Sequence, residues 1–226
     1  MCSSHCCRNN SVEAKGSRLR CAEFLGTAVA LALFAWLARK VQRGEDLRFD
    51  QLVRDGVHSW ASPQLTYAMR GFTQLGEPWF LIVAGLTLIW RLLATGRKRA
   101  AMLVVVTAIG AEALDVFLKL LFHRPRPEAF FGYPAPLSYS FPSGHAIWAG
   151  CFFGVLAAIL TTRIRSRWKQ AAIWGAAALL AGLTGLSRVY LGVHYPSDVL
   201  AGYAAAIAWV AALRLSYGVW PRKTAP

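Results

Sequence analysis

In the stretch "SRVYLGVHYPSD" an arginine, a histidine and an aspartate follow one another at Arg188, His194 and Asp198, immediately before an alanine-rich apolar run. A guanidinium offers a fork of donors to an oxyanion, an imidazole moves protons or attacks, and a carboxylate can hold an imidazole in place. A second set lies in "SFPSGHAIWAG". There Pro142 and Ser143 suit a helix start, Gly144 lets a ligand approach the backbone, and His145 follows at once. The free amides of a helix N-terminus, at the positive end of its dipole, attract an anion. The bland reading is an N-cap serine followed by a buried, hydrogen-bonded histidine. Further upstream, "GAEALDVFLKLLFHRPRP" adds Lys119 and Arg126. Three cations, two histidines and a helix start make a phosphate-sized set, provided the fold brings them to one place.

The elements that must do so are membrane helices. Of the 226 residues 56% are hydrophobic and only 16% charged, and the mean hydropathy is +0.39, too apolar for an ordinary soluble domain. Six apolar runs, at about 22–38, 79–95, 100–122, 146–162, 170–187 and 198–217, mostly approach the ~20 residues that cross hydrocarbon as helix. The expected fold is therefore all-α, a polytopic bundle of about six transmembrane helices occupying residues 22–217. The segments 1–21 and 218–226 form tails. The formal charge of +14 is spread in small groups between apolar runs, which suits membrane-flanking loops rather than a nucleic-acid-binding face.

Arg97, Lys98 and Arg99 between the second and third runs, and Arg163, Arg165, Arg167 and Lys169 between the fourth and fifth, place those loops and both termini in the cytoplasm. Arg39, Lys40 and Arg43 argue the other way, and the two tight loops decide. The loop containing Lys119, Arg126 and His145 and the loop containing Arg188, His194 and Asp198 are separated by two crossings. Both then open on the outer side of the plasma membrane.

Between residues 42 and 77, helical spacing of Phe49, Leu52, Val53, Val57 and Trp60, and the start signal "SPQL" at Ser62 and Pro63, predict two short interfacial helices. They read either as a lid that admits lipid or as scaffold. Pairs of small residues, Ala178 with Gly182, Ala181 with Gly185 and Gly202 with Ala206, allow close helix approach. At 100° per residue, Glu112, Asp115 and Lys119 fall on one stripe, and three charges facing lipid would add about 8–10 kcal/mol to insertion, so the stripe faces the interior or the rim. Asp115 and Glu112 either pair with Lys119 or a neighbouring helix, or take a direct part in catalysis. The four cysteines at 2, 6, 7 and 21 suggest no disulfide framework, and "CSSHCC" reads as a reduced, disordered tail rather than a zinc module.

Taken in order, Lys119 with Arg126 and Pro127, "PSGH" at 142–145, and Ser187, Arg188, His194 and Asp198 reproduce K-x6-RP, PSGH and SR-x5-H-x3-D. The sequence resembles the type 2 phosphatidic acid phosphatase superfamily, which includes vanadium-dependent haloperoxidases. That resemblance implies a cofactor-free, metal-independent phosphoryl transfer in two steps. His194 attacks phosphorus, Asp198 orients it, and His145 protonates the leaving group. Lys119, Arg126, Arg188, Ser143 and Gly144 hold the phosphoryl oxygens. The expected substrate is a membrane lipid phosphate such as undecaprenyl diphosphate, phosphatidate or phosphatidylglycerophosphate, with oligomeric state left open. Two other readings compete. A haloperoxidase would cradle vanadate with the same residues, but a hydrophobic scaffold suits lipid better. A non-catalytic phospholipid binder or transporter would not need both histidines and Asp198.

Overall fold

The computed structural model describes residues 24–45 and 48–217; the cysteine-rich segment 1–21 and residues 218–226 lie outside them. These residues form eight helices: α1 Phe24–Gln42, α2 Arg48–Ser59, α3 Pro63–Gln74, α4 Pro78–Ala94, α5 Lys98–Phe122, α6 Gly144–Thr161, α7 Arg167–Tyr190 and α8 Pro196–Tyr217. Among the described residues there is no strand. The chain is a multi-pass membrane protein. Helices α1, α5, α6, α7 and α8 are each long and apolar enough to cross a bilayer. The outer faces of α4 and α5 leave Leu86, Trp90, Ile109 and Leu120 more than half exposed, as a lipid-facing surface would.

Helix α4 has 17 residues and occupies the apolar run expected at 79–95; it is long and apolar enough to cross only together with α3, from which a short break with a 48° bend separates it, the geometry of a broken span or a re-entrant pair. The start signal of α3 was legible: Ser62 Oγ accepts from the Leu65 amide at 3.2 Å, and Pro63 occupies the first turn, where its missing N–H costs nothing. Gly76 and Pro78 mark the break that separates α3 from α4.

Helix α6 is the central element and packs on α5, α7 and α8. Two of the small residues work as expected. A side chain on Gly202 would lie 2.7 Å from Ala146 Cβ and from the Ser143 carbonyl, and one on Gly185 would meet Tyr203. Gly182 is different: a Cβ added there would meet nothing within 4 Å, so no close approach requires a glycine at that position. The two basic loops meet, since the Arg97 guanidinium donates to Thr162 Oγ1 at 3.2 Å. Lys40 and Arg43, which argued against the orientation, both pair with Glu45, so part of their charge is neutralised locally.

Helices α2 and α3 lie over the end of the bundle opposite the basic loops, α3 against α7 and α2 against α7 and α8. Asp50 and Arg54 of α2 are buried. Asp50 accepts from the Ser197 amide at 2.8 Å and from its hydroxyl at 2.6 Å, which fixes the start of α8. Arg54 donates to the Glu128 carbonyl at 2.9 Å. These bonds anchor α2 to the start of α8 and to the loop after α5.

Candidate active site

The loop between α7 and α8 carries His194. Gly192 adopts φ +78°, and a side chain there would lie 2.6 Å from the Phe130 amide nitrogen, so only glycine lets the loop press against residues 128–130. The Phe130 amide donates to the Leu191 carbonyl at 2.9 Å, and the Ser143 amide to the Asp198 carbonyl at 3.0 Å. These bonds tie the loop preceding α6 to the start of α8.

Asp198, fully buried, is surrounded by donors. Its Oδ2 accepts from Ser140 Oγ at 2.5 Å and from the Tyr195 amide at 2.9 Å, and its Oδ1 from Arg124 Nη1 at 2.6 Å. His194 Nδ1 stands 3.4 Å from the same carboxylate. On the other side of the ring, Arg126 Nη1 is 3.0 Å from Nε2. An arginine only donates, so Nε2 must be the unprotonated nitrogen, its lone pair accepting from Arg126, and Nδ1 carries the hydrogen towards Asp198. Burial pushes the His194 pKa down to about 3, outweighing the Asp198 bond, and the positive charges of Arg126 and Arg188 act in the same direction. The imidazole is therefore neutral at physiological pH, with a nucleophilic nitrogen facing the cations.

Those cations come from three elements. Arg126, in the loop after α5, also donates to the carbonyls of Val193 and Ser138 at 2.8 and 2.7 Å. Burial and the nearby Arg188 lower its pKa to about 10, which still leaves it charged. Arg188, 1% exposed, donates to Thr73 Oγ1 at 2.7 Å and to the Tyr133 hydroxyl at 3.4 Å, while its Nε is buried with no partner. Ser143 Oγ, at the start of α6, is also buried and unpartnered. Buried polar groups are rarely left unpaired, and an oxyanion would satisfy both. Lys119 Nζ binds Asp115 Oδ2 at 2.7 Å. Asp115 in turn packs under Gly144, where a Cβ would sit 2.7 Å from its Oδ1. His145 Nε2 is 3.2 Å from Glu77 Oε1.

His194, Asp198 and Arg126 are joined by direct contacts, the Ser143 amide bonds the Asp198 carbonyl, Lys119 reaches Gly144 through Asp115, and Arg188 lies near enough to Arg126, His145 and His194 to act on each electrostatically. Glu112 stands apart: it is exposed, and the expected stripe divides because Lys119 reaches back one turn to Asp115 rather than lying along the Glu112 row. Sequence reasoning missed Arg124, Ser140, Asp50, Thr73, Tyr133 and Glu77. Arg124 was the most accessible of these, two residues before Arg126 in "HRPRP". It bonds Asp50 Oδ2 at 2.9 Å as well as Asp198. Burial works against its charge, but the two carboxylates prevail and its pKa is raised.

Residues 100–222 match the PAP2 superfamily, and the sites built around Lys119, His145 and His194 all fall inside that match. The chain belongs to this superfamily. Among PAP2 relatives, phosphatidylglycerophosphatase B of Bacillus subtilis is 34% identical over 178 residues, covering 76% of this chain and 84% of that protein. Lipid A 1-phosphatase of Rhizobium etli is 33% identical over 181 residues, 70% of this chain and 72% of that one. The crystal structure of a transmembrane PAP2 type phosphatidylglycerolphosphate phosphatase from Bacillus subtilis superposes with a TM-score of 0.75 at 26% identity, covering 88% of this chain and 98% of that one. The chain is accordingly a PAP2 membrane lipid phosphatase. Glu77, Asp50 and Thr73 precede the matched region, so three of the groups supporting the pocket come from outside it.

Proposed function

We propose that the enzyme hydrolyses a lipid phosphomonoester or diphosphate at the outer face of the plasma membrane through a phosphohistidine. The observation that carries this reading is the unprotonated Nε2 of His194, held by Arg126, in a pocket with two buried donors without acceptors, Arg188 Nε and Ser143 Oγ. In the first step Nε2 attacks phosphorus, the bond from phosphorus to the leaving oxygen breaks, and that oxygen takes a proton from His145. In the second, the neutral His145 accepts a proton from water, the water oxygen attacks phosphorus, and the P–N bond breaks to release orthophosphate. Asp198 stabilises the positive charge that develops on the His194 ring. Lys119, Arg126, Arg188, Ser143 and the Gly144 amide hold the oxygens, and Arg126 exchanges its bond to Nε2 for one to the phosphoryl group.

Phosphoryl transfer demands mainly positioning and charge stabilisation, which this set supplies without a metal. The names of the relatives, a phosphatidylglycerophosphatase and a lipid A 1-phosphatase, support a lipid headgroup phosphate as substrate. The outer location is supported by the meeting of the two basic loops at the end away from the pocket. Purified protein in detergent with a chelator should release orthophosphate from at least one of phosphatidylglycerophosphate, phosphatidate and undecaprenyl diphosphate, and His194→Ala should abolish release. Turnover by that variant at a rate near wild type would overturn the mechanism.

A further inference from the structure

We infer that Glu77 is a positioning residue for His145, so that the pocket contains two histidine–carboxylate pairs, one holding the nucleophile and one the group that moves the proton. This rests on the reading of His145 as the proton donor to the leaving group. Glu77 Oε1 lies 3.2 Å from His145 Nε2, which leaves Nδ1 as the nitrogen available to a leaving oxygen.

Local structure gives Glu77 a different natural partner. It is the N-cap residue of α4, yet its side chain makes no capping bond, although a carboxylate beside the free amides of a helix start is a favourable arrangement. The side chain turns instead across the pocket to a residue 68 positions away. The break between α3 and α4 makes this reach possible. Gly76 lies flat against the imidazole, where a Cβ would be 2.8 Å from His145 Cδ2 and 2.6 Å from Thr184 Cγ2, and the next residue then meets the ring edge. Arg188 and Lys119, the other charged groups bearing on His145, are both positive. Among the described residues Glu77 is the carboxylate bonded to His145, so it supports a proton on that ring, and the same bond fixes which nitrogen faces the substrate.

A structural role and a role through His145 separate by leaving group. An alkoxide needs a proton to depart, whereas a nitrophenolate does not. Two phosphate monoesters sharing one acyl tail, one leaving as an alkoxide and one as a nitrophenolate, are compared on the full-length protein in detergent. Glu77→Gln is expected to lower kcat/KM, which reports the steps up to departure of the leaving group and not the shared hydrolysis of the phosphohistidine, about 10–100-fold for the alkyl ester, a fraction of the ~10²–10⁴ of general acid catalysis, and by less than about threefold for the aryl ester. Glu77→Asp should recover part of the alkyl activity, His145→Ala should show the same selective loss more deeply, and His194→Ala should abolish both. Gly76→Ala, which displaces the ring without touching the carboxylate, should show the selective pattern as well and serves if Glu77→Gln does not fold. Equal losses on both esters, or no loss on either, in a folded Glu77→Gln or Gly76→Ala protein would overturn the role of Glu77. Activity surviving in His194→Ala would instead remove the underlying mechanism.

Discussion

Replacing Arg124 with alanine tests whether a residue that never touches the substrate fixes the nucleophile. Its guanidinium spans two buried carboxylates, Asp198 at 2.6 Å and Asp50 at 2.9 Å, and lies 3.9 Å over the Tyr195 ring. Removing one partner of a buried ion pair costs about 3–5 kcal/mol, because a charge is left behind without compensation. Here each carboxylate keeps other donors: Asp198 retains Ser140, the Tyr195 amide and His194, and Asp50 retains both donors of Ser197. The loss should therefore fall near the lower bound, about 3 kcal/mol, visible as a fall of several degrees in Tm in detergent. The kinetic effect has a defined sign. Without Arg124 the Asp198 charge is less neutralised, the protonated His194 ring is favoured, and its pKa rises from about 3. The acid limb of kcat/KM should move to higher pH, and kcat at neutral pH should fall about 10–100-fold, the scale seen when the outer partner of a metal-bound histidine is lost. Arg124→Lys should restore charge but not the two-carboxylate span, and so recover only part of both effects. A wild-type Tm together with an unmoved pH profile in Arg124→Ala would refute the reasoning.

Two further outcomes follow from the same geometry. The His194 pKa is depressed in the folded protein, so its contribution to stability is complete above the unfolded value of about 6.5 and is lost as pH falls towards about 3; thermal unfolding should show wild type losing Tm over that window, with His194→Asn losing less. Gly144→Ala places a methyl 2.7 Å from Asp115 Oδ1, on a side chain already held by Lys119, and should cost about 1–3 kcal/mol by overpacking with a clear fall in activity; unchanged Tm and turnover would show that the close approach is unimportant.

What could be read from the sequence depended on how local the signal was. Lys119, Arg126, Ser143, His145, Arg188, His194 and Asp198 could be found because each lies in a short motif at the edge of an apolar run, and because counting membrane crossings puts the edges on one side. The spans themselves followed from hydropathy, whereas the 48° angle between α3 and α4 had no counterpart in the apolar pattern. The supporting shell was hidden for a different reason. Asp50, Thr73 and Glu77 act at sequence separations of 68 to 147 residues, and nothing in their immediate neighbours marks them. The angular argument placed Asp115 correctly and Glu112 wrongly, since a helical wheel takes no account of a lysine that bends back along its helix.

The central claim is that His194 becomes covalently phosphorylated, and trapping the intermediate tests it most directly. Enzyme mixed with lipid substrate labelled in the transferred phosphate and quenched within the first turnover should carry label that is stable to base, labile to acid, and mapped to the peptide containing His194; His145→Ala, which retains the nucleophile, should still form it from an aryl ester. A rapidly quenched enzyme that turns over normally yet carries no label, or carries it on another residue, would contradict the account.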